Sequence, residues 1–106
     1  MKLLIREIKY TRRFDGSKVK SETTTEELFS LVVGPLSFSK RPNMFEIVEV
    51  RDEEIDLKIH TRMKLGYLIK TIKKDVLENF VPLPTKDGLV SFVYEFELVE
   101  VNYETY

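Results

Sequence analysis

Two kinds of hydrophobic spacing run along this chain. Alternation with period two fits "KLLIREIKY" (2–10), "MFEIVEV" (44–50), "IDLKIHT" (55–61) and the long final stretch "SFVYEFELVEVNYETY" (91–106). Alternate side chains of a strand point to opposite faces, so these four segments are expected to be strands. Helical spacing fits two other segments. In "TTTEELFSLVVGPL" (23–36), Thr23 and Thr24 each precede a glutamate by three residues, the spacing of a capping box. Leu28, Phe29, Val32 and Val33 then recur at i, i+4, and Gly34-Pro35 stops the element. In "RMKLGYLIKTIKKDVLENF" (62–80), Leu65, Leu68, Ile69, Ile72, Val76 and Phe80 form one apolar stripe, which predicts a longer helix.

Two of the strands change parity. Phe92, Tyr94, Phe96 and Leu98 share one face of the last strand, whereas Val99, Val101 and Tyr103 share the other. The first strand shifts similarly, from Leu3 and Ile5 to Ile8 and Tyr10. Paired strands can change faces together at a β-bulge, so the two are expected to be neighbours. The order β-α-β-β-α-β resembles the ferredoxin-like arrangement. That resemblance implies an α+β domain spanning 1–106, with a four-stranded antiparallel sheet and two helices on one face. The alternative is a five-stranded variant, with Ser17–Lys20 forming an N-terminal hairpin onto the first strand.

Composition narrows the chemistry. There is no cysteine, so thiolate metal sites, disulfides and a cysteine nucleophile are excluded. Arg6 and Glu7 interrupt the apolar run near the N-terminus, and nothing approaches the length of a membrane span. A soluble, cytoplasmic protein without a membrane partner is expected. His60 is the single histidine, with Asp56 on the same predicted face. A catalytic or metal role needs more converging groups than that. Asp52, Glu53, Glu54 and Asp56 offer oxygen ligands but match no cation-binding loop. The four glycines are too scattered to cradle phosphate. A non-enzymatic protein without a cofactor is therefore expected.

Charge sets up two binding hypotheses. The net charge is −1, yet residues 1–42 hold nine Lys/Arg against five Asp/Glu, and residues 43–106 hold eight against thirteen. Lys9, Arg12, Arg13, Lys18 and Lys20 surround the Asp15-Gly16 turn, with Tyr10 and Phe14 interleaved, and Lys40-Arg41 form a second basic pair. Basic residues among aromatics can hold phosphates while stacking bases. In the ferredoxin-like arrangement, however, this turn falls beside Asp52–Glu54 and is partly neutralised. The leading expectation is therefore an adaptor or regulatory domain acting by protein contact. It would be a homodimer or bind another protein through Val99, Val101 and Tyr103, and would suit a viral or mobile-element accessory protein. Nucleic-acid binding at the basic turn is the alternative.

Overall fold

The computed structural model describes residues 1–12, 18–39, 41–60, 66–81 and 90–101. It shows eight strands: β1 (Lys2–Arg12), β2 (Lys18–Ser30), β3 (Gly34–Phe38), β4 (Arg41–Val50), β5 (Glu54–His60), β6 (Tyr67–Lys73), β7 (Glu78–Phe80) and β8 (Val90–Val99). They form two antiparallel four-stranded sheets, ordered β2-β1-β8-β7 and β3-β4-β5-β6. This overturns the α+β, ferredoxin-like expectation. No helix is present among the described residues, and each sheet is covered by the other rather than by helices.

The first expected helix is most of β2. From Thr25 to Phe29, half-buried and exposed residues alternate, so Leu28 and Phe29 point to opposite faces instead of sharing a helical row. Three consecutive threonines favour the extended chain. The two glutamates placed for capping also diverge. Glu26 meets Arg6 at 3.3 Å, whereas the Oε1 of Glu27 accepts the Ser39 backbone N–H at 3.0 Å. The second expected helix divides into β6 and β7. Leu68, Lys70 and Ile72 point inward; Tyr67, Ile69, Thr71 and Lys73 point outward. The Leu68/Ile72 spacing of four suits a helix, but it is also twice two. Asp75 then takes a left-handed backbone, φ 63°, in a turn closed by the Val76 N–H to Lys73 carbonyl bond of 3.2 Å.

The first and last strands are indeed neighbours, but not by a shared bulge. Their register is continuous, from Lys2 opposite Val99 to Thr11 opposite Val90. The irregularities lie on the other side of β1, against β2, near Glu7 and Ile8. β8 does not switch faces. Tyr94, Phe96 and Leu98 are buried inward, and the strand ends at Val99 before Val101 is reached. On β1 both faces are covered, with Leu3 and Ile5 on one and Leu4 and Ile8 on the other. The N-terminal hairpin of the alternative arrangement exists, with Lys18 opposite Arg12, as the edge of an all-β sheet.

Most strands pair with a neighbour in sequence, and β8 closes onto β1. The path is an up-and-down ring opened at two seams, β2/β3 and β6/β7. Phe29 and Phe38 rings, 6.4 Å apart, face each other across the first seam. Lys70 and Glu78, 3.5 Å apart, and a parallel bridge from Lys74 to Leu98 cross the second. Inside, Phe38, Phe45, Tyr94 and Phe96 pack edge to face with centroids 5.4–6.2 Å apart. Leu3, Ile5, Ile47, Ile55, Leu57, Ile59 and Ile72 complete this interior, which is filled by side chains. One carboxylate enters it: Glu7, whose Oε2 accepts the Tyr94 hydroxyl at 2.8 Å.

The outward faces mix charged residues with exposed apolar ones such as Leu28 and Ile69. Arg6 lies among Glu26, Glu95 and Glu97, closest to Glu97 at 2.6 Å. Burial pulls its guanidinium pKa down, but the hydrogen bond to Glu97 and the three carboxylates outweigh this and raise it. Among the described residues no helix is long and apolar enough to cross a membrane.

Candidate nucleic-acid interface

The up-and-down path sorts the strand ends into two sets. Lys2, Ser30, Val50, Glu54, Lys73 and Val99 belong to one end of the sandwich, because β1 opens opposite the ends of β2 and β8, while Lys74 joins Glu53 to Leu98. Arg12, Lys18, His60, Tyr67 and Val90 belong to the other. The paired Phe38 and Arg41 stop short of Arg12 and Lys18, because the Phe38 ring meets Phe29 at 6.4 Å and the Ser39 N–H donates to Glu27 at 3.0 Å. Along β1 the two ends are roughly 30 Å apart, the span of nine residues; the strands of the second sheet are shorter, so the β1–β2 strand ends at Arg12 and Lys18 extend past them.

This sorting separates charge. The second end receives Lys9, Arg12, Lys18 and Lys20 from β1 and β2 and Lys58 from β5, against Glu7, Glu22 and Glu46; Arg41 lies at the Phe38 pairing, nearer Glu27. The first receives Glu49, Asp52, Glu53, Glu54 and Asp56 together with Asp75, Glu78, Glu95, Glu97 and Glu100, against Lys2, Arg6, Arg51, Lys70, Lys73 and Lys74, so acids still outnumber bases there. The expected neutralisation of the basic turn by Asp52–Glu54 therefore does not occur; the hairpin lies at the opposite end. The α+β topology had placed the two together, and the all-β path reverses that. Arg13 and Lys40 lie outside the described residues.

The acidic hairpin binds its own cation. The Arg51 guanidinium makes a two-pronged contact with Asp56, 2.7 and 2.9 Å, and also reaches Glu54 at 3.0 Å and Glu49 at 3.1 Å. The Thr71 hydroxyl donates to Asp56 at 2.8 Å. Hydrogen bonds from Arg51 and then Thr71 hold the Asp56 carboxyl down at about 2, below its ordinary 3.8. Hydrogen bonds to Asp56 and then Glu54 raise the pKa of Arg51. Of the four carboxylates that suggested a hard-cation site, Glu54 and Asp56 are held by Arg51, and Asp56 is directed at Arg51 and Thr71 rather than at His60. Among the described residues, no group of three or more His, Asp and Glu side chains is arranged for a metal.

A pH dependence follows. Because the folded carboxyl of Asp56 titrates below the unfolded one, its stabilisation is complete above about pH 4 and disappears as pH falls towards 2. Urea midpoints taken from pH 5 to pH 2 should fall more steeply for the wild type than for Asp56→Asn. Identical profiles would refute the role given to this contact.

At the basic end, the outer face of β3–β6 carries an aromatic that the sequence reading had assigned to a helix. Tyr67 is 54% exposed and pairs with His60, their rings 6.5 Å apart. The Lys58 Nζ lies over the Tyr67 ring, 4.2 Å from its centroid, as a cation–π contact. Reading residues 67–73 with period two would have revealed this group. No protein-family model, curated protein or solved structure matches the chain.

The residues proposed for protein contact are placed less openly. Val99 ends β8 opposite Lys2, Val101 follows the strand, and both are half-buried; Tyr103 lies outside the described residues. β8 pairs along its length with β1 and, on its other side, with β7 from Tyr94 to Phe96 and with Lys74 at Leu98.

Proposed function

We propose that this protein is a small binding module whose basic end engages nucleic acid. One observation carries the reading: the topology gathers the basic strand ends at one pole and sends the acidic hairpin to the other. Opposite-sign poles orient a molecule in the field of a polyanion even when its net charge is near zero. Binding by phosphate contacts releases counterions, so affinity must fall linearly on a log–log salt plot. The test is anisotropy of labelled oligonucleotides titrated at 50 and 200 mM salt. Salt-sensitive binding supports the reading, and its absence on both DNA and RNA ends it. A cytoplasmic location, where such ligands are accessible, belongs to the same proposal.

Homodimerisation is the second reading, and here a different surface favours it. Leu28, Val32 and Val33, 50–66% exposed, lie together around the β2–β3 connection at the acidic end. Light scattering at micromolar concentration should then report twice 12.5 kDa, and Val32→Asp with Val33→Asp should halve it. A monomeric wild type removes this reading.

A further inference from the structure

We infer that the nucleic acid taken by the basic end is single-stranded, and that Tyr67, with Lys58 and His60, forms the seat of one base and its phosphate. This rests on the nucleic-acid reading and narrows it.

The argument begins with where β6 starts. Tyr67 is the first residue of the strand and pairs with the last residue of β5, so the ring stands at the rim of the basic end. Its neighbour on the same outer face, Ile69, is 53% exposed, which extends the apolar surface along the strand. Across the pair, Lys58 faces Ile69 in register and sends its ammonium over the Tyr67 ring. Lys58 makes no ion pair with a described residue, although Glu46 is its cross-strand partner on β4. By contrast, Arg6, Arg51, Lys70 and Lys74 all have carboxylates within 4 Å. The positive charge at Tyr67 is therefore available to an incoming anion.

These parts have complementary functions. The Lys58 ammonium covers one face of the Tyr67 ring, which leaves the other π face of this half-exposed phenol to a flat base, and any base has one to offer in return. The neighbouring ammonium supplies a partner for the phosphate, and imidazole adds a ring that stacks or donates a hydrogen bond. A paired duplex keeps its bases stacked on each other and cannot use the phenol this way. The arrangement selects strands whose bases are free. It does not select among bases, because stacking reads no hydrogen-bonding edge. DNA and RNA share this chemistry.

The decisive measurement compares full-length protein binding to a fluorescent pyrimidine 15-mer, as DNA and as RNA, with binding to a duplex of the same length. The single strands should bind at least tenfold more tightly. Tyr67→Ala should weaken them by about 5- to 150-fold, the range of one lost stacked base. Its salt slope should not change, since no phosphate contact is removed. Tyr67→Phe keeps the π face and should bind within threefold of the wild type. Lys58→Gln should reduce the slope by about 0.7, the value of one single-strand phosphate contact. Because Tyr67 is largely in solvent, circular dichroism should show Tyr67→Ala folded. If salt-sensitive binding persists but Tyr67→Ala binds like wild type, or the duplex binds as tightly, this inference fails and the nucleic-acid reading survives. If no oligonucleotide binds at all, both fail.

Discussion

Replacing Phe45 by alanine should remove about 3–5 kcal/mol of stability, the usual cost of deleting a buried aromatic ring. A domain of this size has only about 5–15 kcal/mol to lose. The position is unusually exposed to this loss because the ring joins the two sheets. Phe45 belongs to β4, but its ring packs edge to face on Tyr94 at 5.4 Å and Phe96 at 5.5 Å, both from β8, as well as on Phe38 at 5.8 Å. Each of these side chains is almost fully buried, so a truncation leaves a hole that rigid neighbours cannot close. Urea unfolding followed by circular dichroism measures the change. Leu28→Ala, at an exposed site, should cost no more than about 0.5 kcal/mol and serves as the comparison. A loss below 1 kcal/mol at Phe45 would mean that the sheets do not meet through these rings.

The second large effect concerns the basic end. Arg12→Glu, Lys18→Glu and Lys20→Glu together should lower oligonucleotide affinity roughly 100- to 500-fold at 0.1 M salt. This follows from losing three phosphate contacts, each releasing about 0.7–0.9 counterion. The salt slope should become shallower by about 2–3. Arg12 and Lys18 are opposite one another at the hairpin, and Lys20 is opposite Tyr10, so the three substitutions alter one locality. The control, with two charge reversals against three, is Lys73→Glu with Lys74→Glu at the other pole, which should change affinity less than threefold. Equal losses in both variants would show a response to net charge alone and would remove the case for a defined interface.

How much of this was legible in the sequence depends on which residues are considered. The alternation of Ile55, Leu57 and Ile59 revealed β5, and Phe92 to Leu98 revealed β8 with the correct inward face. The adjacency of the first and last strands was also legible, though its reason was not. β1 has two buried faces, and β8 simply ends, so neither needed a shared bulge. The two strands read as helices failed for a specific reason. Apolar residues four apart satisfy both periods, and Leu68 with Ile72 is such a pair. The β-branched Ile69, Thr71 and Ile72 with Tyr67, and the three threonines before Glu26, carried the opposing signal. Thr-x-x-Glu spacing was ambiguous for the same reason, since its glutamates found Arg6 and the Ser39 amide instead.

The candidate site was legible as a list and illegible as a place. Lys9, Arg12, Lys18, Lys20 and Arg41 stand out by residue type alone. Whether they are screened depends on which end receives the 51–54 hairpin, and that is decided by strand direction. One wrong helix is enough to reverse it. Tyr67 was lost in the same step, because a residue assigned to a helix was not asked which sheet face it occupied.

The side-by-side antiparallel course of β1 and β8 also determines how the molecule can be held. Lys2 faces Val99, so the described chain enters and leaves at the pole of the Arg51 hairpin. A tag, a fused neighbour or a solid support attached near either of those points leaves the lysine- and arginine-bearing pole facing outward, so immobilisation does not mask it.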